Sequence, residues 1–184
     1  MSFFGTRWLE AEMNLFRVHE DPRRAAVDLA DSHVVKMATE GVQILCAALA
    51  RHGEEVPWGV THPRHPCVLW AGRSYGAGLW VFEHTEELCF EYTRRFGREH
   101  GALAALERVR RVLAVLPDRP ADMPPVCVNP AAPAVLEGDP VMCYRWGMKR
   151  KYASWHALGR PARYTRAQVP GWLGEVADLV TRVG

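Results

Sequence analysis

The stretch Asp28-Leu-Ala-Asp-Ser-His-Val-Val-Lys-Met-Ala-Thr-Glu40 predicts a long helix with a polar stripe along one side. At about 100° per residue, an arc of roughly 80° contains four polar side chains, those of His33, Lys36, Glu40 and the following Gln43. The opposite arc is apolar, as in a helix face that packs into a core, and carries Val34, Met37, Val42, Leu45 and Leu49. Burying charged and amide groups is costly unless they pair with each other or with a ligand. We therefore expect the functional site along this stripe.

Length and composition predict a soluble globular protein. The chain has 184 residues, of which 48% are hydrophobic and 24% charged, and its formal net charge of +2 permits an anionic ligand without requiring nucleic acid. The five cysteines are odd in number and lack Cys-x-x-Cys spacing, which argues against a disulfide framework or a zinc ribbon. The first twelve residues do not resemble a signal peptide, and no apolar run reaches the roughly 20 residues of a membrane helix. We expect a cytoplasmic protein without membrane contact.

The hydrophobic periodicity predicts an all-α fold. We expect an N-terminal extension over residues 1–12 and a single compact helical domain over 13–184, with one short strand at 13–18. Cap residues and periodicity place helices at 22–30, 31–53, 74–98, 103–116, 140–155 and 170–183. Asp21-Pro22, Ser74 and Asp139-Pro140 are the clearest start signals, and Asp31 or Ser32 is expected to cap the long helix. The proline-rich segments 54–72 and 117–139 are predicted loops.

Two interpretations fit the polar stripe. His33 and Glu40 lie two turns apart, roughly 10 Å along the axis, so a ligand can bridge them although they do not touch. Lys36 precedes Glu40 by four residues and can pair with it. The stripe is either a buried Lys–Glu pair beside a core histidine, or a catalytic set. In the second interpretation Glu40 is a general base or stabilises a cationic transition state, assisted by His33 and Lys36.

Two further runs contribute candidate residues. The run Thr61-His-Pro-Arg-His-Pro66, followed by Arg73, suits a phosphate, a proline-stiffened turn, or a metal bound by His62 and His65 with His33, His84 or His100. In the run Glu91 to His100, Glu91 and Arg95 form an i,i+4 pair that is typical of a solvated face, and it concerns the site only if it lines the same cleft as Glu40.

The segment from Tyr144 to His156 interleaves basic and aromatic residues. Cations contact phosphates and aromatic faces stack on bases, so this helix is a candidate nucleic-acid surface that includes Tyr144, Arg145 and Lys149. Arginines follow it at 160, 163 and 166. A core stripe backed by an ordinary solvated basic face explains the same pattern.

The chain resembles phage-encoded proteins labelled pyrimidine-dimer DNA glycosylases, the endonuclease V class. The resemblance rests on Met13-Asn-Leu-Phe, Asp31-Ser-His33-Val-Val-Lys36-Met37, Glu40, Gln43, Thr61-His62, His65-Pro66, Glu91-Tyr92, Tyr144-Arg145, Lys149 and Pro170-Gly-Trp172. It implies an all-α fold and cleavage of an N-glycosidic bond, with Glu40 as the catalytic carboxylate and His33 in the DNA-binding site.

The chain departs from this family at two points. The family's nucleophile is the α-amine of an N-terminal threonine, whereas Met13-Asn14 heads the matching region here. The arginine that precedes the catalytic glutamate in the family is Thr39 in this chain. We therefore expect base release without the imine-forming strand cleavage of the family.

The predicted function is that of a DNA N-glycosylase-like enzyme acting on a pyrimidine base or base lesion, without a cofactor or a metal. Its catalytic residues are Glu40, His33 and Lys36. Its predicted substrate-binding residues are Gln43, His62, His65, Arg73, Glu91, Arg95, Tyr144, Arg145 and Lys149. One alternative is a metal-dependent enzyme acting on a nucleotide or small molecule, with ligands among His33, Glu40, His62, His65, His84 and Glu91. The other is a nucleic-acid-binding module without catalysis.

Overall fold

Six α-helices dominate the computed structural model, which describes residues 13–128 and 131–184, and this confirms the predicted fold class. The predicted N-terminal extension, residues 1–12, lies outside the described residues. The α-helices are α1 Pro22–Val27, α2 Asp31–Ala50, α3 Pro66–Ala71, α4 Tyr75–Phe96, α5 Ala102–Val112 and α6 Pro140–Ala157. Short 3₁₀ segments cover Leu113–Val115, Ala134–Leu136 and Gly171–Leu179, and the strands are β1 Arg163–Thr165 and β2 Thr181–Val183.

The three clearest predicted helix starts are confirmed by their capping hydrogen bonds. The Asp21 carboxylate accepts from the first turn of α1, at 2.8 Å from the backbone nitrogen of Arg23. The Ser74 hydroxyl accepts from the backbone of Ala77 at 3.1 Å at the start of α4. The Asp139 carboxylate does the same for Met142 in α6 at 2.9 Å. Each side chain satisfies a backbone donor that has no partner within the helix.

Helix α2 forms the centre of the core. It packs against α4, and it also contacts α3 and α5, while α1 packs on α4. Gly41 of α2 lies against Thr85 of α4, since a Cβ atom on Gly41 would stand 2.0 Å from the Thr85 hydroxyl. A Cβ at position 41 would therefore clash with Thr85, so a larger residue would require this side chain or the helices to shift.

The predicted strand at 13–18 is wrong. In place of a strand, the side chain of Asn14 organises this segment, because its Oδ1 accepts from the backbone nitrogens of Leu15 and Phe16 at 2.7 and 3.2 Å. Phe16 adopts a positive φ of 44°, which does not fit an extended strand. A local side-chain hydrogen bond has outcompeted strand pairing here.

The predicted final helix at 170–183 is confirmed only in part, as the 3₁₀ segment Gly171–Leu179. Gly174 breaks the 3₁₀ segment with φ 57° and ψ −129°, and the chain then becomes β2. Strand β2 pairs in parallel with β1, with Arg163 opposite Thr181. Two three-residue strands are too short to give a recognisable alternating pattern in the sequence.

Two further expectations about the helices are corrected. Neither Asp31 nor Ser32 caps α2, whose N-cap is Ala30, because the Asp31 carboxylate accepts from Thr165 of β1 instead, at 3.0 Å from its nitrogen and 2.6 Å from its hydroxyl. The predicted loop at 54–72 contains helix α3, which begins at Pro66 and is capped by His65. In the described ranges 13–128 and 131–184, no helix has the length and apolar character needed to span a bilayer.

Candidate functional site

A cleft of about 510 Å³ opens between the first turns of α2, the end of α6 and the segment leading into β1. Among the described residues, its lining is strongly cationic, with Lys36, Lys151, Arg160 and Arg163 against one acidic residue, Asp31. The remaining lining residues are Ser32, His33, Trp155, Pro161 and Ala162. A concave surface with this excess of positive charge favours an anionic ligand.

The Glu40 carboxylate lies beside the cleft and is held on both oxygens. Lys36 Nζ contacts Oε1 at 3.1 Å, and the backbone nitrogen of Asn14 donates to Oε2 at 3.0 Å. Only about a tenth of the Glu40 side chain is exposed, whereas nearly half of the Lys36 side chain is. The carboxylate is therefore fixed in position and largely, though not completely, shielded from solvent.

The Glu40 carboxylate also lies close to a pair of thiols. The hydrogen-bonded thiol of Cys127, burial and then the Glu40 carboxylate raise the pKa of Cys67. Asn14 connects the two groups, because its backbone nitrogen donates to Glu40 while its side-chain amide donates to the Cys127 carbonyl at 2.6 Å. The N-terminal segment thus joins the predicted carboxylate to the long loop that contains Cys127.

His33 forms the inner wall of the cleft and is 2% exposed. Its ring stacks on Trp155, with centroids 5.0 Å apart and planes at 21°, and packs on Phe16 at 4.7 Å. Nδ1 shares a hydrogen bond of 3.0 Å with the Tyr152 hydroxyl, which also accepts from the backbone nitrogen of Ala30. The ring orientation is therefore fixed from several sides.

The buried ring of His33 is uncharged and keeps one polar atom for a ligand. Burial, and then the charges of Lys151 and Lys36, hold the pKa of His33 well below its ordinary value. Its Nε2 is buried and has no hydrogen-bond partner among residues 13–128 and 131–184. Because a buried polar atom without a partner is costly, Nε2 is the point in the wall where a ligand group is most favoured.

Lys151 is half-buried at the cleft between two aromatic rings. Its Nζ lies 4.7 Å from the centroid of Phe16 and 5.5 Å from that of Trp155. Burial, and then the charge of Lys36, lower its pKa from 10.5 to about 8, against an opposing effect of Glu40. Crowding two ammonium groups at one cleft is unfavourable unless an anion lies between them.

Glu91 and Arg95 form a buried network instead of the predicted solvated face. The Arg95 side chain is fully buried, and its guanidinium donates to Glu91 at 2.7 Å and to Asp31 at 3.0 Å. It also donates to the carbonyls of Val27 and Leu29 at 2.9 and 2.8 Å. The surface interpretation of this pair is wrong, because Arg95 fastens the turn between α1 and α2 to α4 and keeps no group directed at the cleft.

The predicted binding residues Gln43, His62 and Arg73 do not line the cleft. Gln43 is half-buried one turn beyond Glu40, and His62 is exposed with a positive φ of 49°. Arg73 pairs on the surface with Asp122 at 2.7 Å. None of the three residues of the segment 61–73 that were predicted to lie near phosphate, His62, His65 and Arg73, belongs to the lining of the cleft.

The residues predicted on α6 are used mainly in packing. The Tyr144 hydroxyl donates to the Pro125 carbonyl at 3.1 Å, and Arg145 Nε donates to the Val18 carbonyl at 2.8 Å. Lys149 is half-buried and lies outside the cleft lining. The residues of α6 that line the cleft are Lys151 and Trp155, which the run of basic and aromatic residues contained but which were not predicted as site residues.

The structure does not gather the metal ligands expected from the histidines. His84 is buried with Nδ1 donating to the Pro22 carbonyl at 3.0 Å, and Glu91 is paired with arginines. Among the described residues, a different group brings three donor atoms within 4.8 Å of one another, and it consists of His65, Cys67 and Cys127. No sequence signal indicated it, because the two cysteines are 60 residues apart.

Comparisons of the chain with protein-family models, with curated proteins and with solved structures give no match.

Proposed function

We propose that this chain is a DNA N-glycosylase-like enzyme that acts on a pyrimidine base or base lesion, with Glu40 as the catalytic carboxylate. The observation that carries the proposal is the placement of a nearly buried, doubly held carboxylate beside a cleft lined by four cations. The cations suit a phosphodiester backbone, and the carboxylate suits a sugar that becomes positively charged. These two requirements are combined in few substrate classes besides nucleotides and nucleic acids.

The proposed reaction is hydrolysis of the bond between C1′ of the sugar and the base nitrogen. The bonding electron pair leaves with the base, the sugar becomes oxocarbenium-like, and water adds at C1′ while a proton goes to the departing base. A fixed carboxylate stabilises the positive charge that develops on the sugar. Lys36 and the Asn14 amide keep Glu40 in place before the substrate arrives, which avoids reorganisation during the reaction.

The walls of the cleft have separate roles in this proposal. Lys36, Lys151 and Arg163 neutralise phosphates on either side of the target nucleotide. Neutral His33 binds through Nε2 and does not act as a cation, since its pKa is well below its ordinary value. Trp155, stacked on His33 at the cleft, offers an aromatic face to a base that has left the duplex stack.

The resemblance to pyrimidine-dimer glycosylases supports the same assignment, and the Asn14 contact limits it to base release. In that family an N-terminal α-amine attacks the sugar. Here the nitrogen of Asn14 is a peptide nitrogen that follows Met13 and donates its hydrogen bond to Glu40. An amide nitrogen has no available lone pair for imine formation. We therefore propose that the product is an intact strand with an abasic site.

The proposal is tested with an end-labelled duplex that contains one cyclobutane pyrimidine dimer. Base release is detected as strand breakage after alkali, and direct strand cleavage as breakage without it. We expect alkali-dependent breakage with the wild-type protein and its loss in Glu40→Gln. Glu83→Gln, which removes a surface ion pair with Arg23, is the matched control and should retain activity. Absence of breakage for both dimer-containing and other damaged pyrimidine duplexes, or full activity of Glu40→Gln, would refute the proposal.

A nucleic-acid-binding module without catalysis is the second candidate function, and the limited exposure of the Glu40 side chain is the observation that favours it. Such a module also has a surface on α6, where the guanidinium of Arg150 lies 5.0 Å from the ring centroid of Trp146. In that case Arg150→Ala would weaken DNA binding more than Lys36→Ala does. The glycosylase proposal predicts the reverse order, because Lys36 lines the cleft and Arg150 does not.

A further inference from the structure

We propose that His65, Cys67 and Cys127 form a site for a thiophilic divalent cation, with Zn²⁺ as the preferred ion. The donor atoms of these three residues lie within 4.8 Å of one another. His65 and Cys67 flank the first residue of α3, and Cys127 comes from the proline-rich segment after α5. The site lies outside the cleft lining, although Asn14 links Cys127 to the Glu40 carboxylate.

The separation of the two sulfur atoms matches a tetrahedral ion. The Sγ atoms of Cys67 and Cys127 are 3.8 Å apart. Two thiolates on a tetrahedral zinc with Zn–S bonds of about 2.3 Å also lie about 3.8 Å apart. A disulfide would need a separation of about 2.05 Å, so the two sulfur atoms are not covalently bonded; they share a thiol hydrogen bond at a spacing that an ion could bridge without moving them apart.

Neighbouring side chains hold Cys127 in place through both its backbone N–H and its backbone carbonyl. Its backbone nitrogen donates to the Tyr144 hydroxyl at 3.2 Å, and its carbonyl accepts from the Asn14 side chain at 2.6 Å. Supporting hydrogen bonds of this kind orient metal ligands in known sites. They are notable here because residues 120–128 form no helix or strand of their own.

The donor set fits zinc better than a hard cation. Two thiolates and an imidazole are soft or borderline ligands, which select Zn²⁺ over Mg²⁺ or Ca²⁺. Three protein ligands leave the fourth position of a tetrahedral ion for water. His65 Nδ1 accepts from the backbone nitrogen of Cys67 at a long 3.2 Å, and coordination through that atom would replace this capping contact.

The ion would fasten the loop after α5 to the start of α3. That loop also passes Tyr144 of α6 and meets Asn14, which holds the Glu40 carboxylate. Because an ion held by Cys67 and Cys127 would be lost when these distant segments separate on unfolding, its binding free energy would stabilise the native chain. We expect removal of the ion to lower the melting temperature of the whole domain.

The test begins with the metal content of the full chain, purified under reducing conditions without chelators and measured by mass spectrometry. We expect about one zinc per chain in the wild type and less than a tenth of that in Cys127→Ser and in His65→Asn. Asparagine is chosen at 65 because it retains the ability to cap α3. Cys143→Ser is the matched control, since Cys143 is buried with its thiol against the Leu136 carbonyl and should leave the zinc in place.

A second measurement keeps the proposal falsifiable if a variant folds poorly. Cobalt is added to the chelator-treated wild type, and thiolate-to-cobalt charge-transfer absorption should appear with an intensity typical of two thiolates. Zinc should raise the melting temperature of the wild type and of Cys143→Ser but not that of His65→Asn. Folded protein without zinc and without the cobalt band would overturn the proposal. A Cys67–Cys127 disulfide in protein purified without reductant, or full zinc in His65→Asn, would also overturn it.

Discussion

Replacing Lys151 with methionine should make the protein more stable while weakening the proposed anion site. Methionine keeps the apolar stem that packs between Phe16 and Trp155 but removes the ammonium group. The pKa of Lys151 falls from 10.5 to about 8, and at about 1.4 kcal/mol per pKa unit the burial of its charged form would cost up to roughly 3.5 kcal/mol before any discount for exposure. Lys151 is only half-buried, and the methionine variant loses two cation–π contacts. We therefore expect the substitution to raise the free energy of unfolding by only about 1–2 kcal/mol.

The pH dependence of this gain has a definite sign. Below pH 8 Lys151 is charged in both the folded and the unfolded state, so the cost is fully present. Between about pH 8 and 10.5 the folded state has lost the proton while the unfolded state retains it, and wild-type stability rises towards that of the variant. The advantage of Lys151→Met should therefore be largest at neutral pH and disappear near pH 10.5.

Urea unfolding of both proteins at pH 7 and pH 9.5 measures this difference directly. Lys149→Met, on the same helix but outside the cleft lining, is the control and should change the free energy of unfolding by less than about 0.5 kcal/mol. The burial cost assigned to the Lys151 ammonium is refuted if Lys151→Met is no more stable than the wild type at pH 7. It is equally refuted if the difference between the two proteins does not change with pH.

Two further predictions concern buried charged or titratable groups. Arg95→Met should lower the free energy of unfolding by about 3–5 kcal/mol in urea unfolding, because it leaves Glu91 and Asp31 without their buried partner. Arg94 is half-exposed, so the control variant Arg94→Met should lower the free energy of unfolding by less than about 1 kcal/mol. Burial lowers the pKa of His84 from 6.5 to about 4, so its contribution to stability is present above pH 6.5 and is lost as pH falls towards 4. His84→Gln should flatten this decline by up to about 3 kcal/mol in urea unfolding between pH 7 and 4.5, and parallel curves for the two proteins would contradict the assignment.

Local sequence signals are enough to predict the all-α class, most of the α-helix starts and the contact between Lys36 and Glu40. Cap residues such as Asp21, Ser74 and Asp139 act on backbone donors within a few residues, so their effect is visible without tertiary structure. The contact between Lys36 and Glu40 follows equally from helical spacing of four residues. Helix starts and same-helix pairs depend on neighbours in the chain, which is why the sequence specifies them.

Tertiary packing establishes which other groups join that site and which leave it. Arg95 has the spacing of a surface residue, yet it is buried because its partners include carbonyls more than 60 residues away. Lys151 and Arg163 reach the cleft, and Cys67 meets Cys127, through contacts between segments that are distant in the chain. Helical periodicity reports which face of a helix is buried but not which segment covers it. The charge of the cleft and the grouping of the thiols therefore arise from packing, which no local pattern in the sequence specifies.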